Sequence, residues 1–385
     1  MVEERLKILV ISLQGMGNVL LSLPAIKQYS EINPSDITMV VANHGLHKIL
    51  ARLGFIKDIY LWDGNISSCP NIISLRKSIK GYFYDKAFAS DPSIKRENLL
   101  LFLCNAKAKR SFHYYNYMAS WKMLCFLNPK RNVRNNCWHD AEANMRLFGF
   151  DGIPVKGIDL KPLILEEEKL YARELLNGHP SPVLMTLHPG SLGLNRRWAA
   201  EKYIELCNRI VNKYDCRFVL IGGKEELDLR MEIGSKVKNN PIVLKNETLS
   251  QTIAIMNETH FFLGNDSGPM HMAAALGLPM LILWGYADFR LTTPLSDDCL
   301  VVRKNIPCSP CYDFLKAIPS KCKFNFRCIN DILVDEVYPI LRQYIDCKIG
   351  RGKDVLETIA NLDVVDSITQ LKNGPSLINL KPHEV

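Results

Sequence analysis

No apolar run in this chain reaches the roughly 18–20 residues that a bilayer-spanning helix needs, so none of its 385 residues predicts a membrane span. A secretory signal is missing too. The start, MVEERLKILVISLQ, puts two glutamates ahead of one short apolar strand, where a signal would be basic and then longer in its apolar part. Together these absences predict a cytoplasmic protein. Internal repeats, low-complexity tracts and nucleic-acid motifs are absent as well, which argues against a solenoid and against a nucleic-acid partner. One stretch lacks acid almost entirely. Between Lys95 and Arg134 the only acid is Glu97, beside Lys95, Arg96, Lys107, Lys109, Arg110, Lys122, Lys130, Arg131 and Arg134.

What is present is ordinary for a soluble globular chain: 47% hydrophobic and 23% charged residues, with a net charge of +8. The length favours two domains, each able to bury a core of its own. The basic stretch also carries Phe112, Tyr114, Tyr115, Tyr117 and Trp121. Cations interleaved with aromatics suit an anionic membrane surface or a charged glycan; the plain alternative is a solvated basic face. Twelve cysteines in a reducing compartment would be thiols or metal ligands rather than a disulfide framework.

Strand and helix patterns alternate along the chain. LKILVISL (6–13) reads as a buried strand, Gln14 to Asn18 as a turn, and Val19 to Tyr29 as a helix containing Pro24. Strands follow at 37–41, 56–62 and 84–89, with a helix over Ile72–Ile79 between the last two and another near 139–148. A second alternation begins after the loop NGHPSP: strands at 183–187, 217–221, 242–244 and 260–263, helices at 200–213, 225–237 and 249–256. Such alternation predicts parallel sheets covered by helices on both faces. We place the boundaries at 1–160, 161–350 and a polar tail, 351–385, that either folds back on the first domain or stays loosely attached.

The most informative stretch is FFLGNDSGPMHMAAALGLPMLILWG (261–285). It reads strand, glycine-bearing turn, small-residue helix, strand. The first turn of such a helix offers unpaired N–H groups and the positive end of the helix dipole, a seat for a diphosphate. Asp266, Ser267 and Gly268 stand at that turn, with His271 one turn in. The same topology without ligand is common in doubly wound sheets. LHPGSLGLNRRW (187–198) supplies a second glycine turn with His188, Gly190 and Ser191, then Arg196 and Arg197, whose charges could neutralise a departing diphosphate or simply flank a helix start. Glu225 and Glu226 follow a third strand; a carboxylate there could bind a ribose, or both could favour the next helix dipole. The opening turn, Gly15-Met16-Gly17-Asn18-Val19-Leu20, lacks the third glycine and the later acid of a dinucleotide fingerprint. Cys308, Cys311, Cys322 and Cys328 form a compact tetrad. It suits tetrahedral zinc or iron in a structural role; disulfides and free thiols are the alternatives.

Taken in order, these stretches resemble the heptosyltransferases of glycosyltransferase family nine. ISLQGMGNVLLSLPAI (11–26), YDKAFASDPS (84–93), the His139–Gly149 helix, LHPGSLGLNRRW and GNDSGPMHMAAALGLPMLILWG carry the resemblance, and the cysteine cluster is similar to one in many members. It implies the GT-B architecture, two Rossmann-like α/β domains with parallel sheets, the first taking the acceptor and the second a nucleotide sugar, typically ADP-heptose. It implies inverting transfer without catalytic metal, as in lipopolysaccharide core synthesis. Partners would be the nucleotide sugar and an anionic glycan, lipid-linked or protein acceptor, with peripheral contact at the inner membrane. By the same resemblance Asp266, Ser267, Gly268 and His271 hold the diphosphate region, Arg196 replaces a phosphate-binding lysine, and Glu225 lies near the ribose-binding acid.

One position departs from the family. Its opening loop commonly reads Gly-Asp, the aspartate being the general base; here it reads Gly17-Asn18. Asparagine cannot take a proton from a hydroxyl at neutral pH. Asp91, at the tip of the 84–89 strand, is the substitute we expect, its plain role being to cap the helix after Pro92. Competing readings are a non-catalytic nucleotide-sugar binder, a sugar-nucleotide epimerase and an oxidoreductase built on the first glycine turn.

Overall fold

The computed structural model describes residues 5–42, 45–62, 79, 82–90, 96–113, 130–133, 138–177, 183–311, 322–348, 367–372 and 376–379. Asp91, most of the 72–79 helix and Tyr114, Tyr115, Tyr117 and Trp121 of the basic stretch lie outside these residues, while Phe112 is buried. The chain divides into two compact units, Met1–Ile158 with Arg290–Thr292, and Asp159–Phe289 with Thr293–Val385.

The first unit is a parallel sheet of six strands, β1 (Leu6–Ser12), β2 (Ser35–Ala42), β3 (Ile56–Trp62), β4 (Tyr84–Ala89), β5 (Ala106–His113) and β6 (Lys130–Val133), in the order β3-β2-β1-β4-β5-β6. Strands β1 and β4 are neighbours although not consecutive, so the winding reverses between them. Helix Met16–Ile32 continues through Pro24. It packs on the sheet beside helix Asp140–Phe148, where Phe88 and Phe148 stack at 4.1 Å and Tyr29 meets both rings edge-on. The second helix is set by its caps: His139 Nδ1 accepts from Ala141 N–H, and Gly149 closes the end at φ +100°.

Strands β5 and β6 lie in the basic stretch, where the alternation of AKAKRSFH was hidden by its lysines. Two of the β5 charges have partners close by. Lys107 pairs with Asp85, and Arg110 donates to the Leu147 carbonyl. Lysine and arginine stems can cover apolar surface while their heads reach outward.

The second unit is an eight-stranded sheet in the order β14-β13-β12-β11-β10-β7-β8-β9. Its strands are β7 (Val183–His188), β8 (Cys216–Leu220), β9 (Ile242–Val243), β10 (Phe261–Asn265), β11 (Met280–Trp284), β12 (Cys299–Arg303), β13 (Ser367–Lys372) and β14 (Ser376–Asn379). Strands β7 to β12 are parallel; β13 and β14 add an antiparallel edge. The described part of the tail therefore extends the second sheet instead of folding back on the first domain. Continuous apolar runs such as MLILW are what a strand buried on both faces requires, and all five of those residues are buried.

Candidate functional site

Open parallel sheets bind ligands beyond the carboxyl ends of the strands where the winding reverses. In the second unit that point lies between β7 and β10, which end at His188 and Asn265. The two backbones approach closely: a Cβ on Gly264 would sit 2.9 Å from the His188 carbonyl oxygen, so only glycine fits. Beyond them His188, Gly190, Ser191, Arg196, Arg197, Asp266 and Ser267 are joined by hydrogen bonds and ion pairs.

Asn265, 0% exposed, is the hub. Nδ2 donates to the carbonyls of Pro189 (2.8 Å) and Gly190 (3.2 Å), and Oδ1 accepts from Trp198 N–H (3.2 Å) and the Tyr203 hydroxyl (2.9 Å). Four bonds on one buried amide tie the glycine turn after β7 to the end of β10. Trp198, also buried, donates from Nε1 to the Ile332 carbonyl at 2.9 Å and so pins the loop carrying the arginines.

His188 bridges two elements. Nε2–H donates to the Glu226 carboxylate at 3.1 Å, and Nδ1 shares a hydrogen bond of 2.9 Å with Ser267 Oγ. Ser267 precedes helix Gly268–Ala275, but its hydroxyl does not cap that helix, being turned to His188 and the Asn265 carbonyl. No acid stands in that helix's first turn, and His271 is buried one turn in.

Two arginine–carboxylate pairs flank this helix start. Arg196 reaches Asp266 at 3.2 Å and donates from Nε to the Tyr286 hydroxyl at 3.0 Å. Arg197 lies 3.7 Å from Glu226 and donates to the Ser191 carbonyl at 2.8 Å, while Ser191 Oγ donates to the Asp266 carbonyl. Burial pushes the Asp266 carboxyl above its ordinary range, and Arg196 offsets only part of this. Burial acts on Glu226 in the same direction, but its hydrogen bond with His188, the Gly223 N–H and Arg197 outweigh it and hold the carboxyl below its ordinary range.

The structure thus places His188, Gly190, Ser191, Arg196, Arg197, Asp266, Ser267, Gly268 and His271 on the segments that follow the carboxyl ends of two central strands, β7 and β10. Glu225 is exposed; its neighbour Glu226 is the buried carboxylate. Sequence reasoning named Glu226 beside Glu225 without choosing it, and missed Asn265, Tyr286 and also Arg230, which is buried and locks the Gly222–Gly223 turn by donating to the Gly223 carbonyl at 2.7 Å. The helical spacing of Glu226 against Arg230 was the available signal.

In the first unit the reversal point lies between β1 and β4. Ser90 donates to the Ile11 carbonyl there. Asn18 sits in the first turn of helix Met16–Ile32 and donates to Gln14 Oε1 at 2.8 Å. No side chain caps that helix and no acid stands in its first turn, and a Cβ on Gly15 would meet nothing within 4 Å.

The four cysteines of the tetrad are free thiols. Their sulfurs are within electrostatic reach of one another: Cys328 is pushed up to about 12, first by burial and then by Cys311, Cys322 and Cys308. Cys322 Sγ accepts N–H bonds from Phe324 (3.4 Å) and Phe326 (3.3 Å), the kind of support a metal-bound thiolate uses. Among the described residues no group of three or more His, Cys, Asp or Glu side chains is already drawn together to hold a metal ion. The donor set therefore fits zinc or iron in kind, while its present spacing is that of free thiols.

The family model described as glycosyltransferase family 9 (heptosyltransferase) matches residues 72–321. A lipooligosaccharide heptosyltransferase 2 of Campylobacter jejuni is 25% identical over 284 residues, covering 71% of this chain and 79% of that protein. Among solved structures, a family 9 glycosyltransferase from Veillonella parvula has a TM-score of 0.75 at 20% identity, covering 90% of this chain and 98% of that one. The E. coli ADP-heptose lipopolysaccharide heptosyltransferase II has a TM-score of 0.69 at 21% identity, covering 89% and 99%. The fold of both units is thus the GT-B fold of heptosyltransferase structures.

Proposed function

The chain belongs to glycosyltransferase family 9, the heptosyltransferases, and from that premise we propose that it moves a heptose from ADP-heptose to a hydroxyl of a lipopolysaccharide-type core acceptor, with inversion and without a catalytic metal. The observation that carries this reading is the arginine-flanked helix start beyond β7 and β10, where Arg196 pairs with Asp266, Arg197 lies beside Glu226, and Gly268 opens helix Gly268–Ala275 with its own N–H. Breaking a sugar–diphosphate bond leaves cationic character on the ring and negative charge on the departing diphosphate. Fixed guanidinium groups and helix amides stabilise that charge, each donor contributing about 2.7–4 kcal/mol by analogy with oxyanion-hole deletions.

In this reading Glu226, rather than Glu225, is the carboxylate that receives the ribose hydroxyls. It is already ionised, and His188 and Gly223 hold it in place. His188 has both ring nitrogens occupied, so it orients Glu226 and Ser267. The acceptor belongs to the uncapped helix start beside Gly15 and Asn18 in the first unit. Proton removal from the acceptor falls to Asp91, because Asn18 offers no basic atom. The four thiols would hold a structural zinc or iron as a clip, outside the chemistry. The enzyme would work in the cytoplasm, at the inner-membrane face where a lipid-linked acceptor is presented.

Asn18 also favours a second reading, a nucleotide-sugar binder that does not turn over. One experiment separates the two. Calorimetry with ADP, UDP and GDP, followed by incubation with ADP-heptose and a heptose-deficient core oligosaccharide, should show preference for ADP and a heptosylated product. ADP binding without product across a panel of acceptors would replace the first reading by the second. Indifference to all three nucleotides would end both.

A further inference from the structure

Two features described separately above meet at one residue. Tyr286, buried just past β11, accepts a hydrogen bond from Arg196 Nε at 3.0 Å, and the guanidinium lies 5.3 Å from the ring centroid. The backbone of the same segment faces the cysteines. Cys311 N–H donates to the Tyr286 carbonyl at 3.0 Å, and Ser309 Oγ donates to the Gly285 carbonyl at 3.2 Å. On the other side a Cβ built on Gly285 would lie 3.9 Å from Cys328 Sγ, 3.5 Å from Ile329 Cβ and 3.6 Å from the Asn195 carbonyl oxygen. Both arms of the tetrad therefore close on Gly285–Tyr286, and the loop that carries Arg196 touches the same glycine.

Arginine is a long side chain with several rotatable bonds, and its planar fork acts at a chosen point only when neighbours fix it. Asp266 fixes one edge of the fork and Tyr286 another. A tyrosine hydroxyl is no more fixed than its backbone, which the Cys308–Cys311 turn and Cys328 hold. We propose that Tyr286 is a positioning residue for Arg196 and that the four-cysteine group is the clamp that holds Tyr286, so that the state of these thiols is felt at the nucleotide site. The inference rests on Arg196 contacting the donor diphosphate, as proposed above. Coupling between two sites is reciprocal in free energy, so nucleotide bound at Arg196 must in turn restrain the thiols.

The test uses the full chain and ADP. Tyr286→Phe removes one oxygen and keeps the ring. It should weaken ADP binding roughly three- to tenfold, the cost of ordering a rotamer-rich side chain on binding, and lower the melting midpoint of the free protein by no more than a few degrees for the lost hydrogen bond. In an Arg196→Ala background the same substitution should change ADP affinity no further, since the tyrosine acts only through the arginine. In the second arm, wild type is treated with iodoacetamide and the alkylation of Cys308, Cys311 and Cys322 is followed by peptide mass spectrometry. Saturating ADP should slow these reactions in wild type and not in Tyr286→Phe. That arm needs no variant to give its first result, so a folding defect at position 286 does not protect the proposal. Wild-type ADP affinity in Tyr286→Phe, additive losses with Arg196→Ala, or alkylation rates indifferent to ADP would overturn it while the donor reading stands. A wild-type protein that binds no nucleoside diphosphate overturns the donor reading and this inference with it.

Discussion

Replacing Gly190 by alanine puts one methyl group against the buried carboxylate of Glu226. The added Cβ would land within 2.6 Å of Cδ and both oxygens of the Glu226 carboxyl. An ordinary carbon–oxygen contact is about 3.3 Å, so the carboxylate must retreat by roughly 1 Å. It cannot do so freely. Its Oε2 holds His188 at 3.1 Å and the Gly223 N–H at 3.0 Å, and Arg197 lies 3.7 Å from Oε1. Hydrogen bonds to a charged group contribute about 1.5–3 kcal/mol each, and removing one partner of a buried pair costs about 3–5 kcal/mol. Glu226 would be displaced rather than deleted, and it regains some hydration, so we expect a loss of about 2–4 kcal/mol, a value below both sums. For a unit of this size each kcal/mol moves the melting midpoint by roughly 2–4 °C. Differential scanning calorimetry of Gly190→Ala should thus show a drop of about 4–16 °C. Gly193→Ala is the control, because its Cβ would press only on the movable end of the Asn195 side chain, at 2.7 Å, and otherwise make ordinary contact with the Arg196 stem at 3.7 Å; it should cost less than about 1 kcal/mol. If Gly190→Ala melts with wild type and binds ADP equally well, Glu226 is not held as described and the account of the site is wrong.

Asp266 and Glu226 should respond to pH in opposite senses. The folded carboxyl of Asp266 lies above its ordinary value of 3.8, so wild type loses that contribution as pH rises through the folded value; Asp266→Asn should match wild type near pH 3 and be the more urea-resistant near pH 7. Glu226 lies below its ordinary value of 4.5, so its contribution is present above that pH and is lost as pH falls through the folded value; Glu226→Gln should be the weaker protein near pH 7 and converge with wild type in acid. Asn265→Asp leaves the Pro189 and Gly190 carbonyls facing a carboxylate with no proton to give, and thermal denaturation should show a loss of about 3 kcal/mol or more. Asn18→Asp restores a proton acceptor at the first helix start; if proton removal there limits transfer, kcat should rise by about 10²–10⁴-fold with the donor KM unchanged, and an unaltered kcat would place the base elsewhere.

Much of the architecture was legible because its signals are local. The strands at 56–62 and 84–89 coincide with β3 and β4, since short runs of β-branched and aromatic residues favour an extended backbone whatever surrounds them. The turn GNDSG announced a helix start wherever the chain placed it. Strand β5 was hidden, as its lysines and arginine look like surface until Lys107 is seen paired with Asp85 and Arg110 with the Leu147 carbonyl; β6, KRNV, is short and charged. Which of Glu225 and Glu226 is buried was not legible for a related reason: adjacent glutamates point to different sides of a turn, and only the packing of Gly190 and Gly222 against one of them tells which is inside.

The sequence by itself determined the two α/β units, the glycine turns and the residue types that can meet a diphosphate, because strand burial, helix starts and turn chemistry depend on neighbours a few positions away. Only the tertiary structure decided that His188, Glu226 and Ser267 share hydrogen bonds, that Asn265 ties the two strand ends together, and that Tyr286 stands between Arg196 and the cysteines. Those partners are separated by tens of residues along the chain. What joins them is the winding of β7 beside β10, which brings distant turns to the carboxyl ends of these strands, where each buried polar atom must find its partner.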